Sequence, residues 1–378
     1  MKGIAIFLLM LLLCGCGDSA QAQTTVPPET IPVSTTEQAP TEEAPPPDPL
    51  AELMESMTLE EKVGQLFLAR CPENTAQEDV DRFHLGGYVL FGRDFENQSP
   101  DTIRSTLGTY QQRSRIPLLL AVDEEGGTVC RVSSRKEFRP EPFPAPRRLY
   151  ETGGLSLVLS LESEKAYLLS SLGINVNLAP VCDIAQNPKA FLYARSLGAG
   201  PEETGTFVAE SLRRMAEYGV GGVMKHFPGY GDNGDTHLGP ILDDRPLSQL
   251  EDWDLKPFQA GIETGLGAVM VSHNTVAALD PELPASLSPK VVDYLREQMG
   301  FSGVILTDDL SMGALQGYTS AQSAVLAVQA GVSMLCSTDY VTQITAIVEA
   351  VKAQEISQAA VDDAVYRVLA WKQQLGLI

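Results

Sequence analysis

The sequence predicts an α/β chain that closes into a (β/α)8 TIM-type barrel, a single catalytic domain over residues 50–378. Three observations carry that prediction. Eight short apolar runs alternate with helix-like stretches across about 330 residues, enough for eight βα units. Groups capable of chemistry gather just beyond five of those runs, as they do at the carboxyl ends of barrel strands. The chain, 378 residues long and 44% apolar, can bury the core that such a fold needs.

The predicted strands are residues 66–69, 87–91, 117–122, 175–181, 220–224, 268–271, 303–306 and 333–335. Between them lie amphipathic or alanine-rich helices at 101–113, 157–172, 202–218, 247–263, 289–299, 320–330 and 341–353, and a last helix at 358–374 closes the outer ring. An open doubly wound sheet shares much of this alternation. The polar residues favour the barrel: Asp123 follows the third run, Asp183 the fourth, Lys225 and His226 the fifth, Ser272-His273-Asn274 the sixth and Asp308-Asp309 the seventh. A single such residue could be a helix N-cap, as Asp309 is well placed to be.

The fifth run leads into the densest cluster in the chain. Residues 225–237, Lys-His-Phe-Pro-Gly-Tyr-Gly-Asp-Asn-Gly-Asp-Thr-His, hold two of the four histidines beside a lysine and two aspartates. Asp235, two residues before His237, can accept an imidazole N–H, fix the tautomer and leave the other ring nitrogen free for proton transfer. The plainer alternative is a loop shaped by Gly, Asn and Asp with a solvated histidine.

The ends of the chain are read separately. Lys2 precedes an apolar run, residues 4–13, that is short of the roughly 20 residues needed to span a bilayer. Leu13-Cys14-Gly15-Cys16 resembles a bacterial lipoprotein cleavage box, which implies a signal peptide at 1–15 and lipidation of Cys16. Residues 16–49 are rich in Thr, Pro and Glu and poor in large apolar side chains, so they read as a disordered tether. The expected location is extracytoplasmic, with membrane contact through the lipid alone. A formal charge of −22, from 49 acidic and 27 basic residues, argues against nucleic acid or an anionic lipid face as the main partner. Past the signal region Cys71, Cys130, Cys182 and Cys336 lack the spacing of a zinc site. Strand adjacency in a barrel makes Cys71–Cys336 and Cys130–Cys182 conceivable disulfides, with free buried thiols the favoured reading.

Several segments together resemble glycoside hydrolase family 3, and within it the single-domain β-N-acetylhexosaminidases, over residues 50–378. They are Met57-Thr58-Leu59-Glu60-Glu61-Lys62-Val63-Gly64-Gln65-Leu66, Val122-Asp123-Glu124-Glu125-Gly126-Gly127, Ala194-Arg195-Ser196-Leu197-Gly198, Lys225-His226-Phe227-Pro228-Gly229 and Thr307-Asp308-Asp309-Leu310-Ser311-Met312. The resemblance implies a retaining hydrolase in which Asp308 attacks the anomeric carbon to form a covalent glycosyl-enzyme. Retention normally uses a second carboxyl group as acid and base; here His237, oriented by Asp235, takes that place. Asp123, Arg131, Arg195, Lys225 and His226 would hold an N-acetylglucosamine ring through hydroxyl and acyl oxygens. For the two arginines the alternative is an ion pair with an acid at the barrel end.

The resemblance implies no metal and no organic cofactor. The expected substrate is a glycan bearing terminal N-acetylglucosamine, from peptidoglycan fragments or chitin-type sugars. Two alternatives are phosphorolysis on the same scaffold and a non-catalytic lipoprotein that binds wall sugars. The chain ends soon after the eighth unit, without the second α/β layer of larger family members, which favours a hexosaminidase over a glucosidase. Tyr230 stands where the family usually has histidine, and the loop from Gly231 to Asp235 is one residue shorter. His273 either lines the pocket or satisfies a buried hydrogen bond.

Overall fold

The computed structural model describes residues 48–378. The expected signal peptide, Cys16 and most of the tether lie outside the described residues. Eight parallel strands, β1 (Phe67–Arg70), β2 (Gly87–Leu90), β3 (Leu119–Val122), β4 (Val176–Asn177), β5 (Gly221–Phe227), β6 (Ala268–Val271), β7 (Ile305–Thr307) and β8 (Leu335–Ser337), pair in chain order. β8 also pairs with β1, and a bridge between Leu306 and Met334 closes the ring. The (β/α)8 prediction therefore holds.

Both faces of the strands are buried, which is why they read as continuous apolar runs and not as alternations. Leu68, Val89, Leu119, Ala121, Val223, Met270 and Leu306 fill the barrel interior. Their strand neighbours, among them Phe67, Leu90, Leu120, Val122, Met224 and Val271, pack outward against the helices. Burial of such a side chain contributes roughly 1.5–3 kcal/mol. Helix starts carry local signals: Thr58 forms a capping box with Glu61, and Thr319 one with Gln322.

Four features differ from expectation. The fourth strand shrinks to two residues because Pro180, which has no N–H, interrupts the ladder; pairing resumes at a Val181–Lys225 bridge. β5 continues past Met224 to Phe227 with one extra residue against β6, where Met224 pairs with Val269 but Phe227 with Val271. Beyond β3, Glu124–Gly126 and Val129–Cys130 form an antiparallel hairpin that turns on Gly126 and Gly127, at φ of 106° and 67°. The last helix, Gln358–Gln374, does more than complete the ring: Val368 and Trp371 join the interior cluster and stop the floor of the barrel, with Trp371 against Gly221.

All four described cysteines are free and buried. Cys71 belongs to the outer core and Cys336 to the barrel interior, so neighbouring strands carry them on opposite sides of the wall. Among the described residues no helix is long and apolar enough to cross a membrane.

Candidate active site

At the carboxyl end of the barrel a cavity of about 670 Å³ is lined by all eight candidate residues of the described region: Asp123, Arg131, Arg195, Lys225, His226, Asp235, His237 and Asp308. They come from six different segments, and only the closing of the barrel brings them together.

One wall is a chain of alternating charge. Lys225 Nζ lies 2.7 Å from Asp123 Oδ1 and 2.6 Å from Glu125 Oε1. Arg195 donates from Nε and Nη2 to the two oxygens of Glu125, at 2.8 and 2.7 Å. The Glu125 side chain is 2% exposed. Burial favours its protonated form, but Lys225 and Arg195 outweigh burial and hold the carboxyl well below the usual range. Burial likewise opposes the charge on Lys225, and Asp123 and Glu125 overcome it and raise its pKa. Arg195 thus forms a two-point ion pair with Glu125. Arg131 makes only a long contact, 3.8 Å, with Asp123 Oδ2. The guanidinium groups of Arg131 and Arg70 both lie over Phe91, and Arg70 has no ion pair among the described residues.

The extra residue in β5 lets both Lys225 and His226 line the cavity, although consecutive residues of a regular strand face opposite ways. His226 Nδ1 is 2.8 Å from Asp183 Oδ2, which also accepts its backbone N–H; the other Asp183 oxygen accepts the Tyr230 N–H. Arg195 Nη2 lies 3.3 Å from His226 Nε2.

Asp308 follows β7, with its N–H bonded to Val271 and its Oδ1 accepting the Asp309 N–H at 2.8 Å. Burial pushes its pKa up, while His226, His273, the Asp309 N–H and Lys225 together pull it below the ordinary value. The carboxyl is therefore an ionised group facing the cavity. His273 lies behind it: Nε2 faces the Asp309 carbonyl at 3.0 Å and Nδ1 faces Ser286 Oγ at 2.6 Å. A carbonyl only accepts, so Nε2 carries the proton and Ser286 donates to Nδ1. Burial lowers the His273 pKa against the pull of Asp308. His273 satisfies buried hydrogen bonds and braces the segment that holds Asp308.

His237 occupies the rim, its side chain 57% exposed. Its Nδ1 is 2.6 Å from Asp235 Oδ1, which also accepts its backbone N–H at 2.9 Å. The loop docks on the segment after Asp308: Ala314 N–H donates to Thr236 O at 2.9 Å, and a Cβ at Gly313 would overlap the His237 carbonyl. Asp235 and His237 therefore form a hydrogen-bonded carboxylate–imidazole pair on the lip of the cavity that contains Asp308. Among the described residues no group of three His, Cys, Asp or Glu side chains is placed to hold a metal ion.

Two residues that the geometry makes prominent received no role from the sequence. In the sequence Asp183 stands only as an acid beyond the fourth run, and Glu125 only as part of a segment. For Glu125 a signal existed, because an acid two residues after Asp123 shares its face when the backbone stays extended. Glu124 points away and accepts the N–H groups of Arg131, Val132 and Ser133, which holds the hairpin.

A β-hexosaminidase of Stenotrophomonas maltophilia (strain R551-3) is 33% identical over 299 residues, 76% of this chain and 87% of its own length. The β-hexosaminidase LpqI of Mycobacterium tuberculosis is 32% identical over 325 residues, 82% of each chain. A solved glycoside hydrolase family 3 β-N-acetylglucosaminidase from Paenibacillus sp. str. FPU-7 superposes with a TM-score of 0.79 at 31% identity, over 85% of this chain and 63% of that one. With residues 58–371 matching the model of the glycosyl hydrolase family 3 N-terminal domain, the chain belongs to glycosyl hydrolase family 3 and is a glycosidase.

Proposed function

We propose that the protein is a retaining exo-β-N-acetylglucosaminidase that removes terminal N-acetylglucosamine from peptidoglycan fragments or chitin-type sugars. The observation that carries this reading is the shared cavity of an ionised Asp308 and a paired Asp235–His237. Asp308 attacks the anomeric carbon while His237 gives a proton to the leaving oxygen. A glycosyl-enzyme forms, and His237 then takes a proton from the water that releases the sugar. Asp235 fixes the imidazole through Nδ1 and leaves Nε2 for transfer. Asp123, Arg131, Arg195, Lys225 and His226 seat the sugar ring. Because Arg195 is committed to Glu125, its contribution is in good part to keep that wall rigid. The names of the relatives, β-hexosaminidase and β-N-acetylglucosaminidase, support the acetamido sugar. Lipidation at Cys16 and the tether would keep the domain extracytoplasmic and near the wall.

Rates on 4-nitrophenyl N-acetyl-β-glucosaminide and the matching glucoside test the reading. The acetamido sugar is cleaved preferentially, Asp308→Ala loses at least about 1,000-fold, and His237→Ala about 100- to 10,000-fold. Full activity of Asp308→Ala would remove the nucleophile from the scheme. A second reading, phosphorolysis, draws on the imidazole and on Arg70, a cavity-lining guanidinium without an ion pair among the described residues. A neutral imidazole does not repel incoming phosphate as a carboxylate would. Sugar 1-phosphate among the products in phosphate buffer selects that reading; free sugar alone rejects it.

A further inference from the structure

Tyr230 has no role in the scheme above, yet it touches both halves of the cavity. Its N–H donates to Asp183 Oδ1 at 2.8 Å, and the other oxygen of that carboxylate bonds His226. Its ring packs edge-on against His226, centroids 5.5 Å apart, and at a tilt against Phe191 at 5.8 Å. Phe191 in turn meets the His237 ring at 5.9 Å. The Tyr230 hydroxyl pairs with Thr236 Oγ1, and Thr236 sits between Asp235 and His237. Both residues are buried, and a buried hydroxyl needs such a partner. The hydroxyl pair thus ties the root of the loop that carries Asp235 and His237, across a stretch containing Gly231 and Gly234, beside the backbone bond from Asn233 N–H to the Tyr230 carbonyl.

We infer that Tyr230 is a positioning residue: through Thr236 it holds the Asp235–His237 pair at a set distance from the Asp183–His226 side of the cavity. The inference rests on the acid–base role proposed for His237. A half-exposed imidazole on a glycine-containing loop has many positions open to it, and displacement of a reacting group by about 1 Å can cost about 100-fold in rate.

The test uses the full chain, with Tyr230→Phe, Thr236→Val, the double variant and Thr236→Ser. Turnover of 4-nitrophenyl N-acetyl-β-glucosaminide is read together with amide hydrogen exchange over residues 231–238. Each of the first two variants lowers kcat about 10- to 100-fold with KM changed less than about twofold. Exchange quickens at the Asn233 and Leu238 amides, which bond to Tyr230 and Asp235 within the loop. The double variant loses no more than the worse single one, since both remove the same bond, and Thr236→Ser stays near the parent. Unchanged kcat in Tyr230→Phe overturns the inference whether or not exchange quickens, as does a Thr236→Ser that fails like Thr236→Val. If the parent protein cleaves nothing, the glycosidase scheme for this substrate fails. Exchange alone then decides the holding role: quickened in Tyr230→Phe supports it, and unchanged overturns it.

Discussion

Two buried lysines mark the two ends of the barrel and differ in almost everything except burial. Lys225, at the mouth, touches two carboxylates that raise its pKa against the effect of burial. Lys372, at the floor, has one side-chain partner among the described residues, Gln65 Oε1 at 2.7 Å, and burial pushes its pKa down to about 7. Burial penalises the charge on both; the partners decide whether the pKa falls. The mouth therefore keeps a fixed pattern of ions, and the floor keeps a lysine whose pKa burial brings down to about 7.

The most severe way to break this contrast is to make the mouth resemble the floor. Glu125→Ala leaves Lys225 and Arg195 buried with fewer partners, and removing one member of such a pair costs about 3–5 kcal/mol. Urea unfolding at pH 7 reads the loss; a midpoint equal to that of the parent would show that Asp123 alone sustains Lys225.

The two ends also respond to pH in the same sense but in different windows. Glu125 has a depressed pKa in the folded state, so its stabilisation is present above the ordinary Glu range near 4.3 and is lost as pH falls below it. The stability gap between the parent and Glu125→Gln accordingly narrows on going from pH 7 to pH 3.5. Lys372 has a folded pKa of about 7 and an unfolded one near 10.4, so the unfolded chain binds more protons between those values. Its contribution is full above the unfolded value and is lost as pH falls toward 7. Stability rises with pH in that window by up to about 1.4 kcal/mol per unit, and Lys372→Met removes that part of the slope. Parallel unfolding curves for the two proteins from pH 7 to 9 would show that Lys372 stays charged.

The smallest expected change in stability comes from the rim. His237→Ala alters an exposed side chain and shifts unfolding by no more than about 0.5 kcal/mol, although turnover drops. A large loss of stability would mean that the Asp235–His237 pair holds the loop and not merely the proton.

The strand order was legible because each strand, buried on both faces, shows as an apolar run. Runs six and eight needed little more than their Val, Met and Leu residues, and polar residues beyond runs three, five and seven line the cavity. The shortened β4 was not legible from composition, since Pro180 breaks the ladder only where it faces β5. The helices Pro49–Glu55 and Ala76–Phe83 went unpredicted because each is only seven or eight residues long, little more than two turns. Asp183 and His273 show the same limit in the site. Asp183 acts through a loop more than 40 residues away, and His273 through Ser286 and the Asp309 carbonyl.

By itself the sequence determined the barrel, its eight units and the residue types at its mouth, because apolar runs and chemical groups are local properties of the chain. Only the tertiary structure decided which carboxylate each cation meets. Arg195 turned to Glu125, Lys225 to Asp123 and Glu125, and Tyr230 to Thr236, while Lys372 met an amide. Charge, pKa and hydrogen-bond role depend on distances between residues far apart in sequence, and closing the ring sets those distances.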